Sequence, residues 1–385
     1  MTERAETESI GSEVGPWPDE ATAFAFLQLL AGRDDDAPLA AFAALDGKPL
    51  TRWLEAEGLT ALAHWCCRGR IPNLAAQLQS AAFRAAAETT VVLSILDEIE
   101  AATPPDLRLV ALKGAALALS AYPDPALRSM RDLDLWLPGN GLETVGKLLA
   151  DMGFRCVSKV DRPAALQRLS HGEVCYQHRR WVQGVVELHW SPLKGWWYGR
   201  TAAVNDTDIA ARCVPIGTDR RTKRMAMEDM ALHVATHLAV SNQFGEHVWR
   251  GLIDLALLPG VDWVVVAERA RLWRVATAVW LTLSLLAAVL DLPEANAAAE
   301  WLRPGRLRRW LLDRFVSPQA LLAGHDPREG RGRFLLLLLL VDRKRDAMRL
   351  IGRTLWPERI WLDARYGAPV SHTRHLWQVL RYGRV

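Results

Sequence analysis

Leu109–Pro138 reads LVALKGAALALSAYPDPALRSMRDLDLWLP, and its internal spacing decides the class of fold. The apolar run Leu109–Leu112 ends at Lys113-Gly114, and a stretch of small, helix-forming residues follows. Tyr122-Pro123-Asp124-Pro125 interrupts that stretch, and Arg131-Asp132-Leu133-Asp134-Leu135-Trp136 then alternates polar and apolar side chains. Successive residues of a strand face opposite ways, so Asp132 and Asp134 share one face about 7 Å apart, while Leu133 and Leu135 face a core. Strand, glycine turn, short helix, loop and second strand make an interleaved α and β unit.

Working outward, the interleaving continues. A helix is expected over Gly141–Met152, a strand over Phe154–Lys159, and a hairpin of Glu173–His178 with Trp181–His189 across Arg179-Arg180. Cys213–Ile216 reads as a last short strand. Residues 21–104 read as helical: Ala21–Leu30 is apolar, and the Ala-rich Leu74–Ala102 forms one long helix that Thr103-Pro104-Pro105 stops. From Met225 onward helices dominate again, over Met225–Ala239, Val248–Leu258, Trp263–Trp273, Val275–Leu290, Phe334–Ile351 and Ser371–Leu380. The expected division is a disordered tail over 1–20, a helical region over 21–104, a catalytic core over 105–218 and a second helical region over 219–385. The fold class is α+β and helix-rich, with a small mixed sheet between large helical regions.

A chain of 385 residues has room for two or three domains and a substantial core. Its net charge of +3 hides an asymmetry. Residues 1–60 carry 12 acids and 4 bases, whereas residues 301–385 carry 17 Arg and 1 Lys against 7 acids. A basic tail of that kind suits RNA, phospholipid or the acidic head as a partner. The five cysteines (Cys66, Cys67, Cys156, Cys175 and Cys213) are odd in number and form no C-x-x-C pair, which fits reduced, mostly buried thiols in a cytoplasmic protein. Met1–Glu20 is polar and acidic, unlike a signal peptide. The longest apolar runs, Val275–Leu290 and Phe334–Val341, are shorter than the roughly 20 residues of a membrane span.

The chemistry concentrates around the opening stretch. Two carboxylates on one exposed strand edge, preceded by a glycine turn, can hold Mg²⁺ or Mn²⁺ against the phosphates of a nucleotide. Gly114 lets the backbone approach a phosphate, the following helix start with Ala115 offers N–H groups, and Lys113 or Arg128 adds positive charge. Val185-Val186-Glu187-Leu188-His189-Trp190 also alternates, placing Glu187 and His189 on one face. Two-metal phosphoryl chemistry wants a third acid, and Glu187 fits as metal ligand or as base toward an acceptor hydroxyl.

Lys113-Gly114, Arg128-Ser129 and Asp132-x-Asp134, followed by Glu187-x-His189-Trp190, resemble a large family of bacterial nucleotidyltransferases with the DNA polymerase beta-like fold. Around KG…RS-x-x-DLD the chain is also similar to abortive-infection toxin nucleotidyltransferases. The resemblance covers roughly residues 107–260, including Arg250-Gly251-Leu252-Ile253-Asp254. It implies metal-dependent transfer of a nucleoside monophosphate from a triphosphate such as ATP to an acceptor hydroxyl on a small molecule, protein or RNA. It also implies metal ligation by Asp132, Asp134 and Glu187, with Lys113, Gly114, Ala115, Arg128 and Ser129 expected at the nucleotide and His189 expected either to orient Glu187 or to touch the nucleotide. The alternatives are a toxin-like enzyme acting on tRNA and a nucleotide-binding scaffold without turnover. Departures from the family pattern are Ala115 where Ser is usual, a longer gap between the turn and Asp132, and Glu187 where Asp is usual.

Weaker signals read more plainly. His233 and His237 share a helical face but lack the glutamate of H-E-x-x-H, so packing in a core or pocket is expected. Asp254, in an apolar helix, needs a basic partner such as Arg250 or a histidine. Trp190, Trp196 and Trp197 follow the third acid and can stack on a base or an acceptor. Arg303, Arg306, Arg308, Arg309 and Arg343-Lys344-Arg345 can track a phosphate backbone.

Overall fold

The computed structural model describes residues 16–33, 37–139, 141–158, 172–181, 184–193, 195–329, 332–366 and 369–382. Residues 1–15 of the expected tail, Lys159 of the expected third strand and residues 182–183 of the hairpin lie outside the described residues.

The strands are β1 (Val110–Ala111), β2 (Asp132–Trp136), β3 (Phe154–Cys156), β4 (Glu173–His178), β5 (Val185–His189), β6 (Val214–Pro215) and β7 (Lys223–Arg224). They form one mixed sheet of seven strands in the order β3-β4-β5-β2-β1-β7-β6. β2 runs parallel to β5 and β1 parallel to β7, and the other neighbours are antiparallel. The fold is α+β and rich in helix, as expected. The strand expected in the apolar run ahead of Lys113-Gly114 shrinks to two residues, and β7, the partner of β6, was not expected at all.

Alternation in β2 and β5 does what the sequence pattern demands. Leu133, Leu135, Val186 and Leu188 are fully buried on one face of the sheet. The other face carries the polar partners, because Asp134 pairs in register with Glu187, and Trp136 with His189. β4 extends that face, with Glu173 opposite His189 and Cys175 opposite Glu187.

The 31-residue helix Pro72–Ala102 starts on a proline, which has no N–H to leave unpaired, and stops before Pro104. It anchors the loop ahead of β2: the Thr89 hydroxyl donates to Arg128 O at 3.3 Å and accepts from Met130 N at 3.2 Å. A continuous buried core runs from Trp17 to Leu350. Among the described residues no helix is long and apolar enough to cross a membrane.

Two expected helices come out differently. The Phe334–Ile351 stretch is two helices, Gly332–Leu339 and Lys344–Leu355. The break frees Asp342 to cap another helix, Ala276–Leu290: its carboxylate accepts from Ala276 N and Thr277 N, both at 2.8 Å, and from the Thr277 hydroxyl at 2.7 Å. The Met225–Ala239 stretch is a helix over Met227–Thr236 that widens into a π turn over His237–Ser241. Three non-glycine residues then adopt left-handed backbone, Gln243 (φ 50°), Phe244 (φ 57°) and His247 (φ 50°), before the Val248–Ala256 helix. Gly251 lets that helix approach closely, since a Cβ there would collide with Leu238 of the π turn.

Candidate active site

Asp134 is the hub of a charged cluster on the polar face of the sheet. It is buried, 3 % exposed, and its Oδ1 accepts from Lys113 Nζ at 2.8 Å and lies 2.6 Å from His189 Nε2. The same His189 nitrogen lies 3.7 Å from Glu187 Oε2 and 3.8 Å from Glu173 Oε2. Lys113 sits at the turn between β1 and the short helix Lys113–Ala118, with φ at 40°. A left-handed lysine costs on the order of 1–3 kcal/mol, and such strain clusters at functional sites. Here it delivers the ammonium to Asp134.

Burial opposes a charge on Lys113, yet Asp134, Glu187 and Asp132 outweigh it and hold its pKa above the ordinary value. Burial likewise opposes the His189 imidazolium, while its bonds to Asp134 and Glu187 raise the pKa on balance. Asp132, at the outer end of β2, is pushed up by desolvation and by the Asp134 charge, against the pull of Lys113. Crowded carboxylates of this kind fit a cation. One ligand atom each from Asp134, Glu187 and His189 lies within 4.8 Å of the others. Oxygen-rich donors suit Mg²⁺ or Mn²⁺, and an imidazole favours the softer Mn²⁺.

Asp132 and Asp134 line a cavity of about 620 Å³. Its wall also takes in Lys113, Gly114, Arg128, Ser129, His247 and Arg250. Arg128 is 8 % exposed and makes a bidentate pair with Asp254, Nε to Oδ1 at 3.1 Å and Nη2 to Oδ2 at 2.7 Å. The Tyr122 hydroxyl donates to the same Oδ1 at 2.7 Å. Arg128 Nη1 and Arg250 Nη1 both donate to the Ser129 carbonyl, at 3.1 and 3.2 Å.

A nucleotidyltransferase family model matches residues 44–291, well over half of the chain. The chain belongs to the uncharacterised nucleotidyltransferase family. No curated protein matches it. The matched span includes every residue of the charged cluster and reaches into both flanking helical regions, wider than the 107–260 of the sequence resemblance.

Placed on this structure, the expected site residues separate into groups. Asp132, Asp134, Glu187, His189 and Lys113 come together on one sheet face. Arg128 and Ser129 reach the cavity, but the Arg128 charge is already paired with Asp254, where Arg250 or a histidine was the expected partner. Gly114 lines the cavity and is closely packed: a Cβ there would lie 3.0 Å from Arg128 Nη1 and 3.3 Å from Met130 Cβ. Ala115 is buried in the core, 1 % exposed, and does not line this cavity. Trp197 is a core residue whose indole N–H donates to Leu337 O at 3.0 Å, so it offers no stacking face. His237 lines the cavity, and His233 packs behind it with ring centroids 6.2 Å apart.

Glu173 and Arg250 were not singled out as site residues. Glu173 stood at the start of an expected strand, and only the β4–β5 register brings it opposite His189. Arg250 had been read only as a partner for Asp254.

Proposed function

We propose that this protein transfers a nucleoside monophosphate from a nucleoside triphosphate to an acceptor hydroxyl, releasing pyrophosphate, on a polymerase-beta-like core. The observation that carries this reading is the register of β2 on β5. It sets Glu187 beside Asp134, and Asp134 and Asp132 line a cavity large enough for a nucleotide. Asp132, Asp134 and Glu187 would hold the divalent cation, with His189 fixing Asp134. Bound there, the cation supplies neutralisation of the phosphate charge and a lowered pKa for the acceptor hydroxyl.

The chain's own groups do the rest. Lys113 donates to Asp134 and brings a positive charge to the phosphates. The acceptor oxygen forms its bond to the α-phosphorus as the bond to the β-phosphate oxygen breaks, and the hydroxyl proton passes to a carboxylate of the set. The Arg128–Asp254–Tyr122 network holds the loop ahead of β2 rigid, so that the two aspartates keep their aim.

The test is label transfer. Protein, Mg²⁺ or Mn²⁺ and each α-labelled nucleoside triphosphate are mixed with cell extract split into RNA, protein and small-molecule fractions. Label is expected in one fraction, and the Asp132→Ala/Asp134→Ala variant is expected to lose it. Equal labelling by that variant refutes the site. Metal-dependent nucleotide binding without pyrophosphate release points to a scaffold without turnover.

A further inference from the structure

Arg250 carries a charge that the arrangement above leaves unused. Its guanidinium lines the cavity, and among the described residues it donates one hydrogen bond, to the Ser129 carbonyl. Among the described residues no carboxylate forms an ion pair with it. Asp254, the acid on the same helix, has both oxygens committed to Arg128 and one also to Tyr122. Glu57 is the other acid nearby, and burial pushes it up to about 7, so at neutral pH it offsets Arg250 only in part. His247 is held down to about 4 by burial and by Arg250, and is neutral. Burial and the neighbouring Arg128 lower Arg250 itself to about 10, which still leaves it protonated at pH 7.

Room has been made for this side chain. Gly58 ends the Gly47–Glu57 helix with φ at 67°, and a Cβ there would collide with Arg250 Nη1. In the same cavity wall the Ser129 hydroxyl is buried and finds no hydrogen-bond partner among the described residues. A buried guanidinium without a counter-ion and a buried hydroxyl without a partner are both costly alone. One ligand with several acceptor oxygens and more than one negative charge satisfies both.

We propose that Arg250 and Ser129 Oγ form a phosphate-binding subsite of the cavity. The proposal rests on reading this cavity as the nucleotide site. Arg250 donates from its planar fork, Ser129 donates its hydroxyl, and the adjacent Arg128 adds field without leaving Asp254. The phosphate comes either from the β,γ end of the donor triphosphate or from a phosphate on the acceptor.

The probe is inorganic tripolyphosphate, titrated calorimetrically into the full-length protein without divalent metal at about 0.15 M salt. Wild type is expected to bind it. Arg250→Met is expected to weaken binding at least tenfold, Ser129→Ala about threefold to tenfold. Arg84→Met, an exposed arginine at the cavity rim, should change it less than twofold. If Arg250→Met fails to fold, Ser129→Ala and Arg250→Lys carry the test. Parallel titrations separate the two sources. A donor-tail site loses affinity for a nucleoside triphosphate but not for the monophosphate in Arg250→Met. An acceptor-phosphate site leaves triphosphate affinity intact, and tripolyphosphate then still binds protein saturated with nucleotide. No tripolyphosphate binding by wild type, or binding by Ser129→Ala and the Arg250 variants as tight as that of wild type, overturns the proposal. These titrations involve no turnover, so failure of label transfer by the wild-type enzyme would defeat the functional reading without touching this result.

Discussion

Replacing Asp254 with Ala removes one half of a buried ion pair and leaves the other half in place. Asp254 and Arg128 are 2 % and 8 % exposed, so solvent screens little of their attraction. In Asp254→Ala the Arg128 guanidinium loses both of its carboxylate bonds, and the Tyr122 hydroxyl loses its acceptor. The stranded cation also sits beside Arg250, whose pKa is lowered by burial and then by the Arg128 charge. Breaking a buried pair by removing one partner costs about 3–5 kcal/mol. That is a large share of the roughly 5–15 kcal/mol that holds a typical domain together. With a urea slope of about 3 kcal/mol/M, the midpoint should fall by about 1 to 1.7 M. Asp254→Asn, which keeps shape and an acceptor for Tyr122, should cost less. The double variant Arg128→Met/Asp254→Leu should recover most of the loss, because no charge is then stranded. A drop of less than about 1 kcal/mol in Asp254→Ala, or a double variant no better than the single, refutes the claim that this pair holds the loop ahead of β2.

Two further outcomes follow from the same reasoning. Glu57 has its folded pKa raised to about 7 from an ordinary value of 4.5 by burial, so the folded state holds this proton more tightly than the unfolded chain. Its contribution therefore favours the folded state at low pH and is lost as pH rises from about 4.5 through 7. The difference in stability between wild type and Glu57→Gln, followed by urea unfolding across pH 4 to 9, should grow over that window in favour of the variant. A flat difference contradicts the burial argument, and the opposing titration of His247 cancels from it. Asp342→Ala should lower stability by about 1–2 kcal/mol, because it uncaps the Ala276–Leu290 helix, and Asp342→Asn should restore part of this in a thermal melt.

The site was legible in sequence where its residues are neighbours along a strand. Period-two alternation in Asp132-Leu133-Asp134-Leu135 and in Val186-Glu187-Leu188-His189 gave the polar face, because a misplaced leucine there would leave the core. What pairs across long separations was not legible. Arg128 and Asp254 are 126 residues apart, and nothing local distinguishes a guanidinium aimed at a phosphate from one aimed at a buried carboxylate. Glu173 joined the cluster only through strand register. The leucine run looked like one helix because hydropathy cannot see the tertiary contact that makes Asp342 a cap. β7, a strand of two residues, is too short to show alternation at all.

The central claim is that Asp132, Asp134 and Glu187 form the metal-bearing face of a nucleotidyltransferase. Its most direct test is crystallographic: crystals grown with Mn²⁺ and a triphosphate whose α,β-bridge cannot be cleaved, measured at the manganese absorption edge. The account predicts anomalous density within ligand distance of these three carboxylates, with the α-phosphate beside it. Manganese bound elsewhere with this face unoccupied, or a nucleotide seated outside the cavity, would contradict it.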